Sequence, residues 1–163
     1  MDDWQEALKR RLKGKAALVA CGNPLRGDDG LGPYVTEHLE PAEKIAVFSC
    51  ETAPENFVSP VVRSRPQVVV VLDTADLGAL PGSVRLVEAE DIVETDFSTH
   101  AMSPRLFMSI IKESTDADLL LLAVQPLSSR FGEELSPEVK EAAEEIIAFF
   151  SKYGKVPEKG GHQ

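Results

Sequence analysis

The stretch VVVVLD, Val68 to Asp73, is the most informative run of the chain. Four valines and a leucine leave no polar face, and β-branched side chains fit a pleated strand covered on both sides. Such a strand belongs in a parallel sheet with helices above and below it. Two more runs share this character: AALVAC, which follows Lys15 and closes at Gly22, and LLLLAV, Leu119 to Val124. IAVFSC, Ile45 to Cys50, reads as a further strand, and Ser83 to Val87, after the Pro81-Gly82 turn, as a weaker one near a sheet edge.

Between the strands the apolar period changes from continuous to helical. Trp4, Leu8 and Leu12 stand four apart within Asp2 to Lys13, with Gly14 as the stop. Leu31 to Leu39 places Tyr34, Val35 and Leu39 inward, and Phe57 to Val62 suggests a short helix broken before Pro66. Met102 to Lys112 puts Leu106, Phe107, Ile110 and Ile111 on one face. Pro137 to Lys152 turns Val139, Ala142, Ala143, Ile146, Ile147 and Phe150 inward.

Alternating strands and helices imply right-handed crossovers. The predicted fold is α/β: a single three-layer domain over residues 1–153, with a mostly parallel twisted sheet of about five strands and helices on both faces. Residues 1–14 form an N-terminal helix, and residues 154–163 read as a polar C-terminal tail.

Composition narrows the function. The 163 residues carry 17 Lys+Arg against 27 Asp+Glu, a net charge of −10. That balance argues against a nucleic-acid partner, which needs clustered positive charge. The chain has no uninterrupted apolar run of about 18 residues, so no membrane partner is expected. The opening MDDWQEALKRRLKGK is unlike a secretory signal, and the two cysteines, Cys21 and Cys50, are too few for a disulfide scaffold. A cytoplasmic location is therefore expected, and nothing demands more than a monomer.

In an open α/β sheet, ligands gather beyond the carboxyl ends of the strands. The segments there are GNPLRGDDGLG (Gly22 to Gly32), ETAPEN (Glu51 to Asn56), Asp73 to Asp76, FSTHAMSP (Phe97 to Pro104) and VQPLSSRFGEELSP (Val124 to Pro137). Three of them offer a metal ligand or general base: Asp28 or Asp29, Asp73, and His100. Carboxylates with one imidazole suit borderline divalent ions such as zinc, nickel, manganese or cobalt, and three ligands leave coordination positions open.

Plainer roles compete for each residue. Asp28 and Asp29 suit the positive end of the helix beginning near Leu31, one capping it while the other points outward. Asp73 can orient a turn. His100 can be an uninvolved histidine at a helix start. His38 and His162 read as incidental, and the cysteines as core packing. The Gly22–Gly32 loop also invites comparison with a phosphate cradle, but paired acids at its helix start repel a phosphate and attract a cation.

The ordered segments resemble the maturation endopeptidases of nickel–iron hydrogenases. The family's Gly-Asn-x-Leu-x-x-Asp-(Asp/Glu)-Gly pattern matches Gly22-Asn23-Pro24-Leu25-Arg26-Gly27-Asp28-Asp29-Gly30. Its strand-ending acid matches Asp73 in VVVVLDTADLG, and its histidine matches His100 in the Thr-His segment. The segments TAPEN, LDTADLG followed by PG, THAMSP and VQP are closest to the branch that processes the formate hydrogenlyase-type subunit. Two departures stand out. Cys50 and Glu51 replace a glycine pair, which removes freedom from that loop and adds a carboxylate beside the site. The helix before Lys15 is extra.

The resemblance implies a hydrolase acting on peptide bonds, a metal-dependent or aspartic-type endopeptidase. Its partner would be the hydrogenase large-subunit precursor, trimmed of a C-terminal extension after nickel insertion. Asp29, Asp73 and His100 would be both the nickel-contacting and the catalytic residues. The nickel would arrive with the precursor, with no tightly held metal of the protein's own, although zinc or cadmium could occupy the site. Either the metal polarises the scissile carbonyl or a water, or Asp29 acts as general base. The alternatives are a non-catalytic, metal-sensing chaperone that docks the precursor, and a nucleotide-binding enzyme.

Overall fold

Strands with no polar face can only be buried by helices on both sides, and the chain supplies them in alternation. The computed structural model describes residues 3–51, 53–92 and 103–155. The elements are α1 (Trp4–Arg11), β1 (Ala16–Cys21), α2 (Leu31–His38), β2 (Ile45–Glu51), α3 (Val58–Arg63), β3 (Val68–Thr74), β4 (Val84–Glu88), α4 (Pro104–Ser114), β5 (Asp118–Val124) and α5 (Pro137–Lys155).

One five-stranded sheet runs in the order β2-β1-β3-β5-β4. The pairs β1–β2, β1–β3 and β3–β5 are parallel, whereas β4 runs antiparallel to β5 along the edge. The reversal has a simple cause. A parallel return needs a crossover of about a dozen residues or more, and residues 75–83 between β3 and β4 are too few. The α/β fold with a mostly parallel sheet and a weak edge strand is as expected.

The pleat divides the core. Leu18, Ala20, Val68, Val70, Leu72, Leu120 and Leu122 pack with Trp4, Leu8, Leu31, Val35, Ile146 and Phe150 on one face. Ala17, Val19, Cys21, Val69, Val71, Leu119 and Leu121 pack with Val61, Phe107, Met108 and Ile111 on the other. Each fully buried Val or Leu side chain contributes about 1.5–3 kcal/mol. By the same alternation Asp73 falls in the row of Val69 and Val71.

Several details differ from the sequence reading. Helix α1 ends at Arg11 with Leu12 as its cap, so Gly14 lies outside it. Arg11 instead anchors the helix, its guanidinium donating to Asp118 at 2.7 and 2.9 Å and to Glu88. Leu106 points outward at 50 % exposure, and Met108 takes its place in the core because it continues the stripe of Phe107 and Ile111. Tyr34 is half-buried, its hydroxyl donating to Glu144. Helix α5 runs on through Lys155, two residues into the stretch read as a tail; residues 156–163 lie outside the described residues. Among the described residues no helix is long and apolar enough to cross a membrane.

Candidate active site

The chain leaves β1 for β2 on one side and later for β3 on the other, so the strand order reverses between β1 and β3. Loops leaving these two strands diverge and open a crevice at their carboxyl ends. Asp29 and Asp73 both sit there.

Asp73 ends the valine strand at 1 % exposure, and its Oδ1 accepts the Thr74 N–H at 2.8 Å. Asp29 lies in the tight turn Gly27–Gly30 and is also buried. Its Oδ2 accepts the Asn23 N–H at 2.8 Å, and its Oδ1 accepts the Thr74 hydroxyl at 3.3 Å. Thr74 therefore touches both carboxylates, one through its backbone and one through its side chain. Two acids from separate loops are thereby brought together.

Local backbone makes this approach possible. Gly22 adopts φ 139°, and a Cβ there would stand 2.0 Å from the Asp29 carbonyl oxygen. Only glycine lets the acidic turn lie this close against the end of β1.

Asp28 does something else. Its carboxylate accepts the N–H groups of Leu127 at 2.7 Å, Ser128 at 3.2 Å and Ser136 at 2.6 Å, and the Ser136 hydroxyl at 2.9 Å. It fastens the loop after β1 to the loop after β5. The expectation that one acid of the pair caps α2 is overturned: the cap residue is Gly30, with no side-chain bond. Both acids are drawn inward instead, one to backbone donors of a distant loop and the other to Asn23 and Thr74.

Further bonds stitch the same platform. Gly27 N–H donates to Glu133 O at 3.0 Å, Asp28 N–H to Ser128 O at 2.8 Å, and Gly132 N–H to Leu25 O at 2.7 Å. Gln125 Oε1 accepts the N–H groups of Leu77 and Ala79 at 2.5 and 3.3 Å, which shapes the loop after β3. Leu25, Leu127 and Phe131 stand exposed on these joined loops.

Cys21 and Cys50 lie beside the acids. Both are buried free thiols with sulfurs 2.8 Å apart. The hydrogen bond with Cys50 and burial push the Cys21 thiol well above its ordinary range, and the nearby charges of Asp73 and Asp29 push the same way. Glu51 takes a left-handed φ of 48°. Its side chain is exposed.

His100 and most of the segment around it lie outside the described residues. Among the described residues, no group of three or more His, Cys, Asp or Glu side chains is gathered in a way that could hold a metal ion. Sequence reading missed Thr74 and Ser136. The signal for Thr74 was its place directly after the strand-ending acid; nothing local marks Ser136, whose partner is far away in the chain.

A family model described as hydrogenase maturation protease, HycI, matches residues 31–152. Asp73 and His100 fall within that span, and Asp29 precedes it. Hydrogenase 3 maturation protease of Escherichia coli K12 is 30% identical over 132 residues, covering 79% of this chain and 84% of its own. The crystal structure of the [NiFe] hydrogenase maturation protease HycI from Thermococcus kodakarensis superposes with a TM-score of 0.83 at 28% identity, covering 92% of this chain and 99% of that one. The solution structure of endopeptidase HycI from Escherichia coli gives 0.76 at 26% identity, covering 91% and 99%.

Proposed function

The chain belongs to the hydrogenase maturation protease family and is a peptide hydrolase, and from that premise we propose that it removes the C-terminal extension of a nickel–iron hydrogenase large-subunit precursor once nickel is in place. In this reading the precursor brings the nickel, and Asp29, Asp73 and His100 meet it.

The observation that carries the reading is the Thr74 bridge between Asp29 and Asp73. Two buried carboxylates that share Thr74 as a donor repel each other and favour a divalent cation between or before them. Asp28 is the poorer candidate, because four donors already occupy its carboxylate. Oxygen and imidazole donors without thiolate grip a borderline ion loosely, which suits inspection of a metal held by another protein. A metal so placed polarises a carbonyl or a water. In the alternative to metal polarisation, Asp29, on a turn rather than in the sheet, takes the proton from the attacking water as general base. Leu25, Leu127 and Phe131 offer apolar purchase on the rim for the precursor's peptide.

Mass measurement tests the reading. Nickel-loaded precursor should lose a C-terminal peptide on incubation with the protein, and nickel-free precursor should keep its mass. Stable binding with no loss of mass from the nickel-loaded form would favour the docking chaperone instead.

A further inference from the structure

The peptide chemistry proposed above does not use the Cys21–Cys50 pair, yet its geometry is specific. The register between β1 and β2 slips after Ala20, which pairs with Ser49, while Cys21 pairs with Glu51. Cys50 is the extra residue of this bulge, and the kink turns its side chain onto Cys21. The sulfurs stand 2.8 Å apart, and a bonded pair needs about 2.05 Å. Only a small closing movement separates two thiols from a disulfide.

The backbone that would take up that movement is tightly packed. A Cβ on Gly32 would lie 2.4 Å from the Cys21 carbonyl oxygen, and one on Gly22 would lie 2.0 Å from the Asp29 carbonyl oxygen. The backbone at Cys21 is thus gripped by the start of α2 and followed at once by the residue packed against the acidic turn.

We propose that Cys21 and Cys50 form an oxidisable dithiol, closed by hydrogen peroxide and reopened by a dithiol reductant, whose closure shifts the Asp29 turn and slows peptide cleavage. The second half rests on the role given to Asp29 above. In the first step a local opening admits peroxide to the buried pair, and one sulfur attacks a peroxide oxygen as its proton is released; the O–O bond breaks and that proton makes the leaving hydroxide a water. The other sulfur then displaces the sulfenic oxygen, which leaves as a second water, and the S–S bond forms. Two thiols lose two electrons and two protons, and one peroxide becomes two waters. Reduction runs through a mixed disulfide with the reductant. A transient disulfide of this kind is the sort found in a reducing compartment.

The test uses the whole protein, fully reduced and then treated with peroxide. Remaining thiols are alkylated under denaturing conditions and the intact mass is read. The expected result is loss of two hydrogens, no alkyl group, and a linked peptide containing Cys21 and Cys50. Two alkyl groups, or added oxygens without a link, would overturn the disulfide. Cleavage of nickel-loaded precursor should then fall by about tenfold or more in the oxidised protein and return with reductant. Cys50→Ala and Cys50→Ser proteins should cleave at the reduced wild-type rate and ignore peroxide. A linked protein that cleaves at the reduced rate would overturn the switch. No cleavage by the reduced protein would count against the proposed function instead, and the mass would still decide the disulfide.

Discussion

Asp28 and Ser136 stand 108 positions apart and are joined by two hydrogen bonds to one carboxylate, from the Ser136 N–H at 2.6 Å and its hydroxyl at 2.9 Å. With Leu127 and Ser128 also donating, this buried acid ties the loop after β1 to the start of α5. Asp28→Ala leaves those donors without a partner, at a cost of about 3 kcal/mol. In a domain of this size the melting temperature should fall by about 6–12 °C. A melt within about 2 °C of wild type would show that Asp28 is not a staple.

Gly22→Ala tests the close approach at the end of β1. The added methyl meets a backbone carbonyl rather than a side chain that can rotate away, and φ there is 139°. The substitution should cost more than about 2 kcal/mol or prevent folding. Thermal unfolding followed by circular dichroism reads it, and unchanged stability would mean that the acidic turn does not pack on Gly22.

Glu51→Gly should act in the opposite direction. The glutamate is held at φ 48° with its side chain exposed. Relief of that backbone outweighs the added freedom of glycine in the unfolded chain, a gain of up to about 1 kcal/mol. A urea midpoint lower than wild type would contradict this.

The strands were legible because burial on both faces writes an unbroken apolar run, as at Val68 to Leu72. Leu106 misled because a helical stripe of four apolar residues does not say which edge of it faces outward. Asp73 and Asp29 were legible as candidates through their places after strands. Between Asp28 and Asp29 only the family resemblance chose; the residues by themselves left the pair open, since the role of Asp28 depends on Ser136 and Leu127, which only folding brings near. Thr74 carries no signal of its own beyond its neighbour.

The raised Cys21 thiol makes stability depend on alkaline pH. The folded protein holds the proton more tightly than the unfolded chain, whose thiol titrates near its ordinary value of 9.0. The stabilisation is therefore complete below that pH and is lost as pH rises toward the folded value. Between about pH 8 and pH 10.5, the denaturant midpoint of reduced wild type should fall more steeply than that of Cys21→Ser. Parallel slopes would contradict the assignment.

Everything in the functional reading depends on Asp73 and Asp29 acting together on a metal that the substrate carries. Asp73→Asn keeps the shape and an oxygen acceptor for Thr74 while removing the charge. The most direct measurement is the mass of nickel-loaded precursor over time with this variant beside wild type. Wild type should trim the precursor, and the variant should leave it at full length, slower by about a hundredfold or more. Trimming by Asp73→Asn at the wild-type rate would contradict the account.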